Sequence, residues 1–242
     1  MNPILLKRLF HVTSNRALAP DIYELTLAPA DAEQAFTFKA GQWVYLFLLN
    51  EDGSEWARAA FSIASAPSMK DGVVQLAIKV YKDYTKRGQA LKVGDAVRLQ
   101  GPFGVFVPKE GTESLVMFGG GIGVTPFMSM IREALHQDAQ RDVVLIYANR
   151  TREEISYEQE LRELQRLHPR LRVVFILTRE NPEGWDGETR RIDAKMITDV
   201  VKDVTSASYF ACGPVEFMDA AKATLETLGV DVKKQFHKEL FN

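Results

Sequence analysis

The residues best suited to bind a charged ligand lie in segment 114–134, which reads SLVMFGGGIGVTPFMSMIREA. Its short apolar run is followed by four glycines within five positions: Gly119, Gly120, Gly121 and Gly123. Apolar residues at helical spacing come next, so the segment predicts a buried strand, a glycine turn and a helix, with Thr125 as N-cap and Pro126 as first helical residue. Backbone N–H groups in such a turn can approach a phosphate, and the helix dipole favours its charge. The alternative is a tight corner without a ligand.

Two segments of the first half could also carry chemistry. Residues 58–65 read RAAFSIAS, and residues 79–88 read KVYKDYTKRG. A neutral hydroxyl such as that of Ser62 can hydrogen-bond a ligand atom without adding charge, and a guanidinium such as that of Arg58 suits bidentate contact with phosphate. The structural alternatives are an ordinary core strand and a basic, solvated turn.

The motifs together resemble those of the ferredoxin–NADP reductase family, and they follow the family's order over nearly the whole chain. Gly-Gly-x-Gly-x-Thr-Pro is similar to the family's pyridine-nucleotide motif, with Pro126 in place of the third glycine of the usual Rossmann fingerprint. Cys212-Gly213-Pro214 is similar to a Cys-Gly-Pro trio beside the nicotinamide, and Glu239-Leu240-Phe241 to a closing Glu-x-Phe near the flavin. The resemblance implies nucleotide-binding roles for Gly120, Gly121, Gly123, Thr125, Pro126, Cys212, Gly213 and Pro214.

The flavin motif of that family, Arg-x-Tyr/Phe-Ser, resembles residues 58–65 with one departure. Ala59 occupies the arginine position and Arg58 lies one residue earlier, so in a regular strand Arg58 points to the opposite side and reaches the pyrophosphate only through a bulge. Segment 79–88 resembles the Gly-x-x-Ser region that caps the pyrophosphate, with Lys82 at the glycine position. The resemblance implies flavin contacts for Arg58, Phe61, Ser62, Ile63, Lys79, Tyr81, Thr85 and Phe241, and catalytic roles for Ser62, Cys212 and Glu239.

Two arginines follow a predicted strand of the second half, where a dinucleotide site reads the ribose 2′ position. Arg150 and Arg152 favour NADPH, because arginine accommodates the 2′-phosphate. Glu153 and Glu154 follow closely, so NADH stays open, and exposed arginines in a loop are often merely solvated.

Composition restricts the other function classes. The net charge is −2 and the pI about 6.1, which gives no nucleic-acid signature. The single cysteine excludes a disulfide framework within the chain and an iron–sulfur cluster held by four of its own thiolates. The N-terminal residues lack the apolar core of a signal peptide, and the glycines of segment 114–134 argue against a membrane span. We therefore expect a cytoplasmic protein without membrane insertion, and no metal site is predicted.

The pattern predicts two domains. Six β-type runs separated by turn signals predict an antiparallel barrel or sandwich over residues 1–108, and the resemblance implies that it is the flavin-binding β-barrel domain: 5–13, 22–28, 43–49, 59–64, 73–81 and 96–100. Alternating strands and helices predict a parallel-sheet, Rossmann-like α/β nucleotide-binding domain over residues 109–242. Its predicted strands after the glycine turn are 143–147, 171–177, 207–211 and 232–236, and its predicted helices are 156–167, 193–201 and 214–228.

The resemblance implies an NAD(P)H-dependent flavin-containing reductase. Hydride passes from NAD(P)H to bound FAD, with FMN less favoured, and electrons then pass to a separate acceptor such as a ferredoxin, another iron–sulfur protein or an oxygenase component. The basic segment 79–87 is a candidate docking surface for an acidic partner. The alternatives are a free-flavin reductase and an electron-transfer or nucleotide-sensing subunit of a larger complex.

Overall fold

The structure is a computed structural model that describes residues 6–31, 36–109, 111, 113–137 and 140–240. The chain separates into two compact units. The first comprises Met1–Val107 together with Met128–Glu133, and the second comprises Pro108–Phe127 together with Ala134–Asn242.

The first unit is the predicted antiparallel β-barrel. Its strands lie in the order β4-β3-β6-β1-β2-β5: β1 Lys7–Ala19, β2 Ile22–Pro29, β3 Trp43–Leu49, β4 Glu55–Ser62, β5 Val74–Lys79 and β6 Ala96–Phe103. The chain just after β4 bonds to β5 at the other edge of the sheet, because the Ala64 N–H donates to the Gln75 carbonyl at 2.8 Å. The Ser65 hydroxyl extends this closure by accepting from the Gln75 N–H at 3.1 Å.

The barrel core follows the two-residue alternation of its strands. Val44, Leu46 and Leu48 of β3 are each no more than 1% exposed and pack with one face of β4. One helix, α1 at Asp83–Gln89, lies against this unit where the sequence suggested only a basic turn. The Tyr23 hydroxyl anchors α1 by donating to the Thr85 carbonyl at 2.9 Å.

The second unit is the predicted parallel sheet with helices. Its strands lie in the order β11-β10-β7-β8-β9: β7 Leu115–Gly120, β8 Val143–Asn149, β9 Leu171–Leu177, β10 Ser208–Cys212 and β11 Phe236–Glu239. The helices are α2 Thr125–His136, α3 Glu158–Leu167, α4 Ala194–Val200, α5 Val215–Thr227 and α6 Val232–Gln235. All five strands are parallel, so their carboxyl ends share one edge of the sheet.

Two of the differences from the predicted bounds in the second unit have a clear cause in the backbone. The predicted strand 232–236 is wrong, since residues Val232–Gln235 form α6 and the strand begins at Phe236. Helix α3 begins at Glu158 rather than at residue 156, because Tyr157 has a φ of 61° and interrupts the right-handed backbone. Within the described part of the chain, no helix combines the length and the apolar character needed to span a bilayer.

Candidate cofactor-binding sites

The glycine turn after β7 packs directly against the backbone that follows β10. These strands are neighbours, and Cys212 of β10 lies opposite Gly119 of β7 in the register. A Cβ atom on Gly123 would lie 2.3 Å from the Cys212 carbonyl oxygen, and one on Gly213 would lie 2.8 Å from the Gly120 Cα. Larger residues at these positions would force the two backbones apart. The two motifs therefore form one backbone surface at the carboxyl ends of two parallel strands, where α/β sheets bind ligands.

One side of this turn is closed and the other is open. A Cβ on Gly120 would lie 2.7 Å from the Pro214 Cδ, whereas nothing described lies within 4 Å of a Cβ built on Gly121. Gly121 has a φ of 54°, which glycine adopts without strain. The turn thus has the shape of a cradle that a ligand phosphate can approach through its backbone N–H groups.

The helix after the glycines begins differently from the prediction. Residues Gly121–Val124 already form a 3₁₀ turn, and Thr125 has αR backbone angles as the first residue of α2. Its hydroxyl donates to the Ile122 carbonyl at 2.7 Å instead of accepting a backbone N–H, so the predicted N-cap role of Thr125 is wrong. Pro126, the second residue of α2, lies where a missing N–H costs nothing.

Cys212 is a buried, neutral thiol at the end of β10. Its side chain is fully buried, and burial first, then the negative charge of Glu239, raises the pKa of the thiol well above its ordinary value. Glu239 lies opposite Cys212 in the β10–β11 register. Such a thiol is a poor nucleophile, so any role at the site is one of packing and polarity. Phe241, predicted to contact the flavin, lies outside the described residues.

The two arginines after β8 differ in their partners. The Arg152 guanidinium donates to the Glu158 carboxylate through two nitrogens, at 3.1 and 3.3 Å. It also lies over the Trp185 ring, 5.7 Å from the ring centroid. Arg150 is exposed, and within the described part of the chain no carboxylate pairs with its side chain. The backbone here is held in place, since the Arg150 carbonyl accepts the Arg179 N–H at 3.0 Å. Arg150 is thus the arginine that is available for a ligand.

In the first unit, Phe61 and Ser62 lie at the end of β4 on opposite faces. Phe61 pairs with Val44 on the core-facing side, and Ser62 pairs with Trp43 and is only 4% exposed. Ile63 follows as a fully buried core residue whose N–H donates to the Gln42 carbonyl at 2.9 Å.

Arg58 lies on the face of β4 opposite to Phe61. The register runs without a break from Ala57 to Ser62, so no bulge turns Arg58 towards Phe61. Its guanidinium instead stacks over the rings of Tyr45 and Phe47, at 4.4 and 5.6 Å from their centroids. The one-residue offset of Arg58 from the family's arginine position therefore places its side chain on the opposite face of β4.

A column of stacked side chains occupies the Phe61 side of β4, and sequence reasoning missed it. Tyr84 of α1 stacks on Phe61 and on Trp56, with centroid distances of 6.1 and 6.2 Å. The Arg87 guanidinium lies over the Trp56 ring, 4.5 Å from its centroid, and donates to the Leu49 carbonyl at 2.8 Å. Arg87 is hence the arginine on the same side as Phe61. The only sequence signal for it was the basic run in segment 79–88.

Thr85 is fully engaged within its own turn. Its hydroxyl accepts the N–H groups of Tyr81 and Lys82, at 2.8 and 3.0 Å, and donates to the Lys82 carbonyl at 2.9 Å. The Tyr81 ring is 78% exposed, and Lys79 pairs with Asp21 at 3.0 Å. Thr85 therefore shapes the start of α1, and its hydroxyl proton is already used in the hydrogen bond to the Lys82 carbonyl.

Comparison with known families assigns each unit a ligand class. Residues 9–107 match the oxidoreductase FAD-binding domain, and residues 117–223 match the oxidoreductase NAD-binding domain. The glycine cradle and the Phe61 column lie within these matched ranges.

Curated relatives include reductases of several systems. The chain is 33% identical over 212 residues to ferredoxin–NADP reductase B of Sorangium cellulosum, covering 82% of each protein. It is 31% identical over 222 residues to the ferredoxin reductase component of 3-ketosteroid-9-alpha-monooxygenase from Rhodococcus rhodochrous, covering 88% of this chain and 59% of that protein.

Solved structures share the fold at lower identity. The FAD/NAD-binding domain of nitric oxide dioxygenase from Vibrio cholerae has a TM-score of 0.83 at 21% identity, covering 97% of this chain and 98% of that one. A ferredoxin NADP+ reductase from Neisseria gonorrhoeae with bound FAD and NADP has a TM-score of 0.76 at 20% identity, covering 97% of this chain and 98% of that one. The chain spans 59% and 58% of the lengths of two curated relatives, both reductase components of monooxygenases.

Proposed function

The chain belongs to the ferredoxin–NADP reductase-like family of NAD(P)H-dependent flavoprotein oxidoreductases, and from this premise we propose that it passes electrons from NADPH, by way of FAD, to a separate acceptor protein. The observation that carries the proposal is the presence in one chain of an FAD-binding domain at residues 9–107 and an NAD-binding domain at residues 117–223. We extend these to a flavin domain at 1–108 and a nucleotide domain at 109–242. The cofactor supplies the hydride acceptor when it is bound, and the protein supplies orientation and electrostatics.

The nucleotide domain binds the pyrophosphate of NADPH through the backbone of Gly120, Gly121 and Gly123. The open side at Gly121 admits the phosphates, and the closed side holds the turn against Gly213 and Pro214. Thr125 and Pro126 fix the start of α2, which directs its positive dipole end towards the same edge.

Cys212 and Glu239 border the nicotinamide in this proposal. The buried thiol offers a small, neutral, polarisable surface to the ring. Glu239 sits beside it in the sheet and supplies a negative charge next to the thiol, which would favour a developing positive charge on the nicotinamide.

Preference for NADPH rests on Arg150. Its unpaired guanidinium is suited to bidentate contact with a 2′-phosphate, whereas Arg152 is already held by Glu158. Arg152 then acts by fixing the loop after β8.

The flavin domain holds FAD along the Phe61 side of β4. Phe61 offers a ring face to the isoalloxazine. Ser62 lies on the opposite face but is the last residue of β4, so its neutral hydroxyl would approach the hydride-accepting atom around the end of the strand. Arg87 takes the phosphate role that the family assigns to an arginine of β4, since Arg58 lies on the other face. Lys79, Tyr81 and Thr85 shape and border the turn before α1.

The acceptor is a ferredoxin or the iron–sulfur component of an oxygenase. These 242 residues contain one cysteine, so a four-thiolate cluster must come from outside them. The exposed lysines Lys82 and Lys86, at the two ends of the first turn of α1, offer positive charge to an acidic partner.

A coupled assay tests this function. We expect NADPH oxidation by the yellow, purified protein to depend on added plant-type ferredoxin and to fall as salt is raised. A colourless protein that oxidises NADPH only when free FMN is added would instead identify a free-flavin reductase. A yellow protein without NADPH oxidation under any of these conditions would identify a non-catalytic subunit.

A further inference from the structure

Helix α2 is divided between the two compact units. Its residues Met128–Glu133 belong to the first unit, although they lie inside the range 117–223 that matches the NAD-binding domain. Met130 is only 1% exposed, and a Cβ atom built on Gly41 would lie 2.6 Å from the Met130 Cε. The middle of α2 is therefore packed as a part of the first unit, which holds the proposed flavin site.

Two polar side chains of this part of α2 hold the chain directly after β4. The buried Ser129 hydroxyl donates to the Ser65 carbonyl at 2.6 Å, and Arg132 Nη1 donates to the Ala64 carbonyl at 2.8 Å. Because Ser129 and Arg132 are three residues apart, they lie on the same face of the helix. We call these two side chains the α2 clamp. The backbone that they hold begins two residues after Ser62.

The clamp satisfies two backbone carbonyls that are buried. Ala64 and Ser65 are both fully buried, and in the part of the chain that the structure describes their carbonyls accept from no donor outside the clamp. A buried carbonyl that loses its donor costs about 1–3 kcal/mol. Without the clamp, the backbone would therefore have to move until these two oxygens find another donor.

Arg132 also ties the same backbone to the far edge of the barrel sheet. Its Nη1 donates to the Gln75 Oε1 at 2.9 Å, and the Gln75 carbonyl accepts the Ala64 N–H at 2.8 Å. A movement at Ala64 would therefore disturb the closure of the barrel and the end of β4, where Ser62 lies only 4% exposed. A misplacement of about 1 Å at a reacting group can lower a rate about a hundredfold.

We propose that Ser129 and Arg132 are positioning residues of the flavin site, although their sequence belongs to the nucleotide-binding domain. By holding the carbonyls of Ala64 and Ser65, they fix the end of β4 and with it the Ser62 hydroxyl. This inference rests on the proposed function, in which Ser62 approaches the hydride-accepting atom. The clamp acts through the backbone, so its loss alters the surroundings of the flavin and the rate of flavin reduction and spares the affinity for NADPH.

Anaerobic stopped-flow reduction of the FAD-loaded protein by NADPH tests the clamp, together with the absorbance spectrum of the oxidised flavin. Ser129→Ala and Arg132→Leu should each lower the limiting rate at saturating NADPH about tenfold or more and shift the spectrum. The NADPH concentration that gives half the limiting rate should stay close to that of the parent. Arg132→Lys keeps a charged donor for the Ala64 carbonyl and should recover most of the rate.

His136→Gln is the matched control, because it changes an exposed residue in the last turn of the same helix, and it should behave as the parent does. If Arg132→Leu does not fold, as judged by thermal unfolding, Ser129→Ala and Arg132→Lys decide the question.

Unchanged limiting rates in the folded clamp variants would overturn the proposal. A higher half-saturating NADPH concentration with an unchanged flavin spectrum would overturn it too, and would place the clamp in the nucleotide site. A parent flavin that neither NADPH nor NADH reduces would instead refute the proposed function, and the spectral shift, which needs no turnover, would still decide whether the clamp positions the flavin site.

Discussion

The Gly123 Cα and the Cys212 carbonyl are in such close contact that a single methyl group on Gly123 would lie 2.3 Å from the carbonyl oxygen. Two motifs that are about 90 residues apart in the sequence are therefore one structural unit. The atoms that a new Cβ would meet are backbone, which cannot move aside as a flexible side chain can. The contact predicts which substitutions in the glycine turn lower the stability of the fold and which lower only the affinity for the nucleotide.

Gly123→Ala should lose both folding stability and nucleotide affinity. Overpacking of this kind costs about 1–3 kcal/mol, and the forced shift separates the turn from β10. Urea unfolding of the flavin-loaded protein measures the first effect, and the KM for NADPH measures the second.

Gly121→Ala is the matched control. Nothing described lies within 4 Å of its new Cβ, so the stability loss should be limited to the left-handed backbone, about 1–2 kcal/mol. The KM for NADPH should still rise, because the methyl group occupies the open side of the cradle. An unchanged KM for NADPH in both variants would contradict the proposal that the glycine cradle binds the coenzyme.

The two arginines near β4 should have opposite importance for FAD. Arg87→Ala should weaken FAD binding about tenfold or more, the usual cost of a lost charged hydrogen bond, whereas Arg58→Ala should leave it unchanged. Fluorescence titration of the apoprotein with FAD measures both constants. Arg87→Lys keeps the positive charge but loses the planar guanidinium. Its FAD affinity should therefore fall between those of the two alanine variants. A larger loss of FAD affinity with Arg58→Ala than with Arg87→Ala would indicate that Arg58 of β4, and not Arg87, contacts the FAD phosphate.

Coenzyme choice should depend on Arg150. Arg150→Ala should lower kcat/KM for NADPH about tenfold to a hundredfold and leave the value for NADH nearly unchanged, because only NADPH carries the 2′-phosphate. Arg152→Ala, a substitution of the same type in the same loop, should affect both coenzymes equally and weakly. The reverse ranking of the two variants would show that the Arg152–Glu158 pair opens on binding.

The buried thiol predicts a loss of stability at alkaline pH. Burial and the Glu239 charge raise the pKa of Cys212 in the folded protein, while an unfolded thiol titrates near about 8.5. Above that pH the unfolded chain releases a proton that the folded chain retains, so stability falls as pH rises, by about 1.4 kcal/mol per pH unit. Below it both states are protonated and the contribution is fully present.

Cys212→Ala isolates this contribution. Urea unfolding at pH values below and above that of the free thiol should show a steeper decline for the parent protein than for the variant. Parallel declines would mean that the folded thiol ionises as readily as the unfolded one. The native thiol should also resist alkylation until the protein unfolds.

The sequence predicted those features that depend on local periodicity and on strand order. Strand β3 at Trp43–Leu49 and strand β9 at Leu171–Leu177 have the predicted bounds, because their apolar runs end at clear turn or charged residues. The meeting of the glycine turn with Cys212 follows from parallel pairing, since strands that alternate with helices place their carboxyl ends together.

Features that depend on tertiary packing were missed. Helix α1 looked like a solvated turn, because its stability comes from Tyr84 stacking on Trp56 and Phe61 and from Tyr23 bonding to the Thr85 carbonyl. No local pattern joins Arg87 to Trp56, which lies about 30 residues earlier. The N-cap at Thr125 was wrong because glycine freedom allowed the helical turn to start earlier.

The most direct test of the central claim is an anaerobic titration of the purified, yellow protein with NADPH while the visible absorbance of the flavin is recorded. We expect stoichiometric NADPH to bleach the flavin and oxidised ferredoxin then to restore the absorbance. Gly123→Ala should need more NADPH for the same bleaching. A flavin that stays oxidised in excess NADPH and in excess NADH would show that the chain does not pass hydride from the coenzyme to the flavin.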